Sequence, residues 1–337
     1  MATFTDLQIS INTLSGTPDS PVVEDTISDV AAIEGLDVTM GTEQVATCRI
    51  TLDKAAFVAT LDETYMLDVY AGLGTTDRIF FGDQDGVAFD GQGRAIITAT
   101  GFLGRLDQEW GAGEYEYTAQ VSSAIEVNII EKSALPSSLH SVATSTWDPT
   151  TPNSIFLRDR DNPLQLLRQL VEQELRWVAE HSNGAIYVND IAIGTSVASF
   201  NDSTPEITIT RDRVRRGLRN KIIVTGASDS LGIPVVGEAF ASSPFVLAPQ
   251  TYWTLDLNFP LIQDQTQVDA IATRALAIYN VRPETGSVMT LLDVGVEPGD
   301  TITLTSSYCN LSAVKVFVTS VSYRLPGTRE IRWWRFP

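Results

Sequence analysis

The chain is poor in the side chains that most often carry chemistry. Its 337 residues include two cysteines, two histidines and four methionines. Cys48 and Cys309 make no disulfide framework; each lies in a strand-like stretch, where a thiol is expected to act as a small buried hydrophobe. His140 and His181 have no metal-ligand spacing with one another or with a cysteine. The hydroxyl-rich stretches contain no G-x-S-x-G elbow. No nucleophile, base and orienting group can be assembled. No catalytic residue, metal ligand or cofactor is therefore expected, and the chain does not read as an enzyme.

Positive charge is scarce as well. There are 23 Lys and Arg against 42 Asp and Glu, a formal net charge of -19. Such a surface repels free nucleic acid, although an acidic wall also lets DNA pass without sticking. No apolar run approaches the roughly 20 residues that span a bilayer, so no membrane insertion is expected. Residues 1–11 show neither a basic n-region nor an apolar h-region, which predicts no signal peptide and a soluble product of the cytoplasm.

What is present fits a folded globular chain, with 43 % hydrophobic and 19 % charged residues. The length suits two or three domains. The first third reads as β. Residues 47–52, 65–70, 78–82, 87–89 and 94–100 are strand-like, with Tyr65, Leu67 and Val69 expected inward and Met66, Asp68 and Tyr70 outward. Asp85-Gly86 and the run from Asp90 to Gly93 read as turns. The middle changes period. Residues 122–132 suggest a short helix with Ala124, Val127, Ile129 and Ile130 on one side. Residues 137–154 read as a linker rich in Ser, Thr and Pro. Asn162 is a good N-cap and Pro163 a good first helical residue. Leu164, Leu167, Val171, Leu175 and Val178 then follow at helical steps until Asn183-Gly184, which predicts a hairpin over residues 185–193. The last third returns to β, over residues 206–210, 221–225, 287–293, 301–305, 313–324 and 330–336. A helix over residues 266–279, with Thr266 and Asp269 as a capping box, interrupts it.

Three motifs invite a chemical reading. The stretch from Val224 to Gly232 mimics a dinucleotide-binding loop, but Ser230 stands where a glycine is needed and no helical stripe follows, so a strand-to-loop turn is expected. Asp83, Asp85 and Gly86 suggest a calcium loop, yet the remaining oxygen ligands are missing and a hairpin turn is the plainer reading. Glu172, Glu174 and Glu180 offer carboxylate pairs of the kind that cleave glycosides; a solvated helix face is expected instead.

Six segments in order resemble the tail hub proteins of tailed bacteriophages and contractile injection machines, and above all the minor tail proteins of long-tailed phages. They are residues 38–52 (VTMGTEQVATCRITL), 67–82 followed by 95–106, 162–188, 219–224 (RNKIIV), 266–279 and 296–302 (VEPGDTI). Nearly the whole chain is covered, apart from residues 137–154 and 228–260. The resemblance implies a mainly β fold with α/β insertions: two small β-barrel-like hub domains carrying helix-containing inserted domains, and forming a ring. The expected boundaries are 1–112 for the first hub domain and 113–205 for an α/β domain with its linker at 137–154. Residues 206–240 with 284–337 would make the second hub domain, and 241–283 a helix-containing insertion.

The resemblance further implies a structural homotrimer at the distal end of the virion tail, made in the host cytoplasm. It would join a distal tail protein or tail tube protein to tip, spike or fibre proteins. Its lumen would pass the tape measure protein and then DNA in transit. In such a ring the basic run Arg211, Arg213, Arg215, Arg216 and Arg219 is expected to pair with a neighbouring acidic protomer, since guanidinium forks match carboxylates; a phosphate-binding patch is the alternative. Trp333 and Trp334 are of the type that anchors subunit interfaces, and equally of the type that fills a last core strand. A rival reading makes the chain a receptor- or carbohydrate-binding tail-tip module, with Tyr252 and Trp253 stacking on sugars.

Overall fold

The computed structural model describes residues 7–335 except 29, 43, 54–65, 74–75, 109–110, 112, 119, 133–134, 145–154, 159, 214–217, 229–230, 242–251, 261, 281–283, 292–294 and 326. Seven antiparallel strands open the chain: β1 (Leu7–Thr17), β2 (Ser20–Ile27), β3 (Ile33–Gly41), β4 (Gln44–Asp53), β5 (Met66–Leu73), β6 (Asp77–Phe89) and β7 (Arg94–Gly101). They stand side by side in the order β3-β4-β7-β6-β5-β1-β2. Period-two alternation drives them: in β4, Ala46, Cys48, Ile50 and Leu52 are buried while Thr47 and Arg49 are exposed. Burial holds the Cys48 thiol well above its usual range.

Three expectations for this region change. β5 has no solvated face, because Met66 joins Leu14 in a second core and Asp68 forms a two-pronged pair with Arg78 at 2.8 and 2.9 Å. Tyr65 lies outside the described residues. Asp85-Gly86 is not a turn but a bulge within the continuous strand β6, where the register to β7 shifts between Gln84 and Gly86. Asp83 there pairs with Arg105. The hairpin turn is Asp90 to Gly93, where the Asp90 carboxylate accepts from the backbone N–H of Gln92 and of Arg94. β1 and β2 had no counterpart in the predicted elements.

The middle of the chain holds β8 (Tyr115–Tyr117), α1 (Ser122–Glu131), β9 (His140–Val142), β10 (Ile155–Leu157), α2 (Pro163–Gln173), β11 (Arg176–Glu180) and β12 (Ile186–Asp190). Asn162 caps α2 as predicted, its side-chain oxygen accepting from Gln165 N–H at 3.1 Å, and Leu164, Leu167 and Val171 are buried. The helix stops early. Leu175 takes a left-handed φ of 53°, and residues 176–180 form a strand buried at every position. The hairpin therefore pairs β11 with β12 around Asn183-Gly184, instead of spanning 185–193. The buried side of α1 is Ile125, Glu126, Ile129 and Ile130, with Ala124 exposed. Residues 140–142 of the expected linker form β9, parallel to β12.

The last part holds β13 (Ser196–Asn201), β14 (Thr208–Ile209), β15 (Asp212–Arg213), β16 (Lys221–Ser228), β17 (Pro234–Phe240), β18 (Thr254–Asn258), α3 (Gln265–Tyr279), β19 (Glu284–Leu291), β20 (Thr301–Ser306), β21 (Leu311–Arg324) and β22 (Thr328–Arg335). β16, β17 and β18 make a separate sheet under α3 with a core of its own. Residues 221–240 thus pack with β18 and α3 of the segment 241–283. The reason is the alternation of Ile222 and Val224, which bury against Val268, Ile271 and Ala275 of α3. α3 is capped by Asp264, which accepts from Gln267 N–H at 2.9 Å, two residues before the predicted capping box. Residues 224–228 end β16, and the next described element is the strand β17 and not the helix that would receive a pyrophosphate.

The two β halves meet in one 14-stranded sheet. β21 pairs with β22 on one side, and on the other with β20 and then with β3, in register Ser320 to Gly41 through Arg324 to Asp37. One hydrophobic core runs across this seam and includes Val38, Met40, Val321, Tyr323, Ile331 and Trp333. The mainly β fold with α/β insertions stands. Among the described residues neither half closes as a barrel through strand pairing, and the path ends at β14 and β2.

Trp333 is 1 % exposed and fills that core. Trp333→Ala is expected to destabilise the chain by about 3–5 kcal/mol, read as a lower midpoint in guanidinium unfolding.

Candidate functional site

Two clusters of polar side chains stand out. The first is a junction where the turn after β11 is wedged between the two β halves. On one side the Glu180 carboxylate accepts from the N–H groups of Phe102 and Leu103, at the start of the 3-10 turn Phe102–Leu106. Gly101 leaves the room, since a Cβ there would overlap this carboxylate. On the other side Glu297 accepts from the Ser182 N–H at 3.2 Å and from its hydroxyl, His181 Nε2 lies 3.1 Å from the Pro298 carbonyl, and Trp177 packs on Gly299. The His181 ring stacks on Tyr187 at 4.1 Å. Below the turn, Arg176 is fully buried. It pairs with Glu126 at 2.6 Å and Glu174 at 3.5 Å, and it donates to the carbonyls of Ala143 and Val188.

Of the three carboxylates expected on a solvated helix face, only Glu172 is exposed. Glu174 and Glu180 lie beyond the end of α2 and are about 1 % exposed. Enclosed in this way, they have no route to a sugar. Burial pushes Glu180 up to about 8, against the pull of the backbone N–H groups, and pushes Glu297 up to about 7. Burial lowers His181 to about 4.

The second cluster is a node of arginines at the β14 end of the sheet. Arg211 grips Glu284 with both carboxylate oxygens at 2.8 Å and donates to the carbonyls of Cys309 and Asn310. Arg213 reaches Glu284 at 2.6 Å and Arg335 at 3.1 Å. These contacts hold the Glu284 carboxylate below its ordinary value, although burial opposes them. The structure therefore brings together two of the five predicted arginines and adds Arg335 and Glu284, which the sequence pattern did not flag. Arg219 lies elsewhere, its N–H bonded to the Tyr279 carbonyl, and Arg215 and Arg216 lie outside the described residues. Arg211 is engaged within its own chain. Trp333 is a core residue, while Trp334 is half-buried beside Tyr279.

Among the described residues no group of three or more His, Cys, Asp or Glu is placed to hold a metal ion, and both cysteines are free thiols. Tyr252 is exposed, but it meets Phe240 edge-on, and Lys221 Nζ sits 5.9 and 5.0 Å from the two rings. Those aromatic faces are already engaged by a cation.

No family model and no curated protein matches the sequence. The fold does match solved structures over almost its whole length. It is similar to a tail protein from Neisseria meningitidis MC58, at 10 % identity and a TM-score of 0.71, covering 98 % of this chain and 96 % of that one. It is similar to the 43 kDa tail protein of prophage MuSo2 from Shewanella oneidensis, at 10 % identity and a TM-score of 0.65, covering 97 % of both chains. It is also similar to the E. coli c3393 protein, a type VI secretion component with structural similarity to the T4 tail proteins gp27 and gp5, at 14 % identity and a TM-score of 0.53, covering 90 % of this chain and 73 % of that one. The fold is thus similar to that of tail proteins, as the order of the six segments implied.

The junction predicts how stability varies with pH. Glu180 and Glu297 bind their protons more tightly folded than at the ordinary 4.5, so they favour the fold at low pH and lose that contribution as pH rises towards 7 and 8. His181 acts oppositely: its contribution is present above 6.5 and is lost as pH falls towards 4. The effects oppose one another between 4.5 and 6.5. From 6.5 to 8 only the carboxyls act, and unfolding stability is expected to fall, by up to about 1.4 kcal/mol per pH unit for each titrating group. Denaturant midpoints at pH 6.5 and 8 measure this, and Glu180→Gln should remove most of the difference.

Proposed function

We propose that the chain is a structural hub subunit of a bacteriophage tail, and that it works by geometry without making or breaking a bond. The observation that carries this reading is the full-length, two-way match in fold to phage tail proteins.

In this reading three copies form a ring at the distal end of the tail, each contributing two β halves, so that six similar units surround the axis. Such an arrangement adapts a sixfold tail tube, or a distal tail protein, to threefold tip, spike or fibre proteins. Its lumen passes the tape measure protein and then DNA. The physics of the chain suits that task. The β21–β3 seam and the wedged turn after β11 fix the relative positions of the halves, which a channel wall requires. The charge of -19 disfavours adhesion of DNA to the wall. The two ends of the sheet path, β2 and β14, leave strand edges available to neighbouring subunits.

Immunogold labelling of particles from the source lysate, intact and with partly dissociated tails, tests the location. Gold is expected at the far end of the tail. Its absence from both preparations would remove the hub reading.

A further inference from the structure

Two exposed surfaces are left unsatisfied by the packing of one copy, and they stand at opposite ends of the sheet path. At one end is β2. Val22 and Val23 are 56 % and 58 % exposed. Adjacent residues of a strand point to opposite faces, so both faces of β2 are bare at Val22 and Val23, and among the described residues only β1 pairs with it. Asp19 in the hairpin turn and Glu24 on β2 are exposed beside the valines, each bonded to a neutral hydroxyl, of Thr17 and Ser15 respectively. A bare apolar edge strand is a liability that folded chains cover or blunt.

At the other end is the Glu284 node. Three guanidiniums share one carboxylate, which leaves two positive charges over in a chain with a large negative surplus. Arg211 is buried, so the surplus is presented by Arg213 and Arg335, at 52 % and 39 % side-chain exposure. Asp212, the residue before Arg213 in β15, points to the other side of that strand. Tyr308 is 91 % exposed and stands next to Cys309, whose carbonyl accepts from Arg211. Arginine and tyrosine are the types that most often dominate binding energy at protein interfaces.

We propose that the Glu284 node of one copy receives the β1–β2 hairpin of a second copy. Asp19 and Glu24 meet the surplus charge of Arg213 and Arg335, and Val23 covers Tyr308. This rests on the hub reading in taking a second copy as the occupant, but it is narrower, since it names the two surfaces. The donor and receiver patches differ, so the contact is heterologous: each copy uses both patches and assembly runs head to tail until it closes. Exposed ion pairs at its rim make it weaken with salt.

Sedimentation velocity on the purified full-length chain and two variants tests the pairing. Arg213→Ala/Tyr308→Ala removes the receiver and leaves Glu284 with two arginines. Val23→Ser/Glu24→Lys removes the donor at exposed positions. Unchanged denaturant midpoints show that both variants fold. The wild type is expected to associate with rising concentration beyond a dimer, each variant alone to associate at least tenfold more weakly, and an equimolar mixture of the two to form a dimer and nothing larger, because it contains one intact donor and one intact receiver. Variants that associate like the wild type overturn the pairing, as does a mixture without dimer or a wild type that stays monomeric at about 1 mM. None of these results bears on where the protein sits in a particle, so the hub reading stands or falls on the labelling alone.

Discussion

Five residue pairs between β3 and β21 hold the two β halves in a single sheet. The pairing joins positions 37–41 to positions 320–324, so nearly the whole chain lies between its two sides. The seam is also covered, with Val38, Met40, Val321 and Tyr323 almost inaccessible and packed into one core with both halves. Flanking hydrogen bonds extend it, from Thr42 N–H to the Thr319 carbonyl and from Leu325 N–H to the Leu36 carbonyl. A contact of such sequence separation carries the loop-closure entropy of everything between its two sides. Once formed, it makes the relative position of the halves a property of backbone pairing and not of a flexible linker.

The middle unit adds a second constraint by different means. Its hairpin turn bonds to the first half through Glu180 and to the second through His181, Ser182 and Trp177. Buried carboxyls and a buried Arg176 are a costly way to hold a joint, because desolvation offsets much of what the ion pairs return. They do something apolar packing does poorly: a backbone N–H pair or a carbonyl is satisfied in one geometry only, so the wedge has one seat. Apolar surfaces alone would tolerate sliding of the unit over the sheet.

How much of this was legible in the sequence follows from what is local. The cap at Asn162-Pro163, the alternation in β4 and the Asp90 to Gly93 turn depend on neighbours in the chain, and they stand where the pattern put them. The predicted helix outruns α2 because Leu175 and Val178 keep a helical spacing by coincidence, and a fully buried strand shows no alternation to compete with it. The role of Glu180 was invisible, since its partners Phe102 and Leu103 lie more than seventy residues away. The bulge in β6 carries the signature of a turn because Asp-Gly marks turns and bulges alike. The arginine run pointed to the right end of the sheet but missed Glu284, some seventy residues on, which decides which charges remain free.

That last point gives the scarcity of cations its meaning. Arg78 is tied to Asp68, Arg105 to Asp83, Arg176 to Glu126, and Arg211 to Glu284. These pairs join β5 to β6, the 3-10 turn to β6, β11 to α1, and the approach to β15 to β19, so much of the positive charge is spent on internal seams. The acidic surplus is then left on the surface, where it repels other copies at random orientations. Like-charged bodies that must nevertheless assemble do so in register only where one of them presents a local excess of the opposite sign, because every other approach is penalised. In a chain of this composition, an uncompensated pair of guanidiniums at a sheet end therefore carries more information about orientation than the same pair would in a neutral protein.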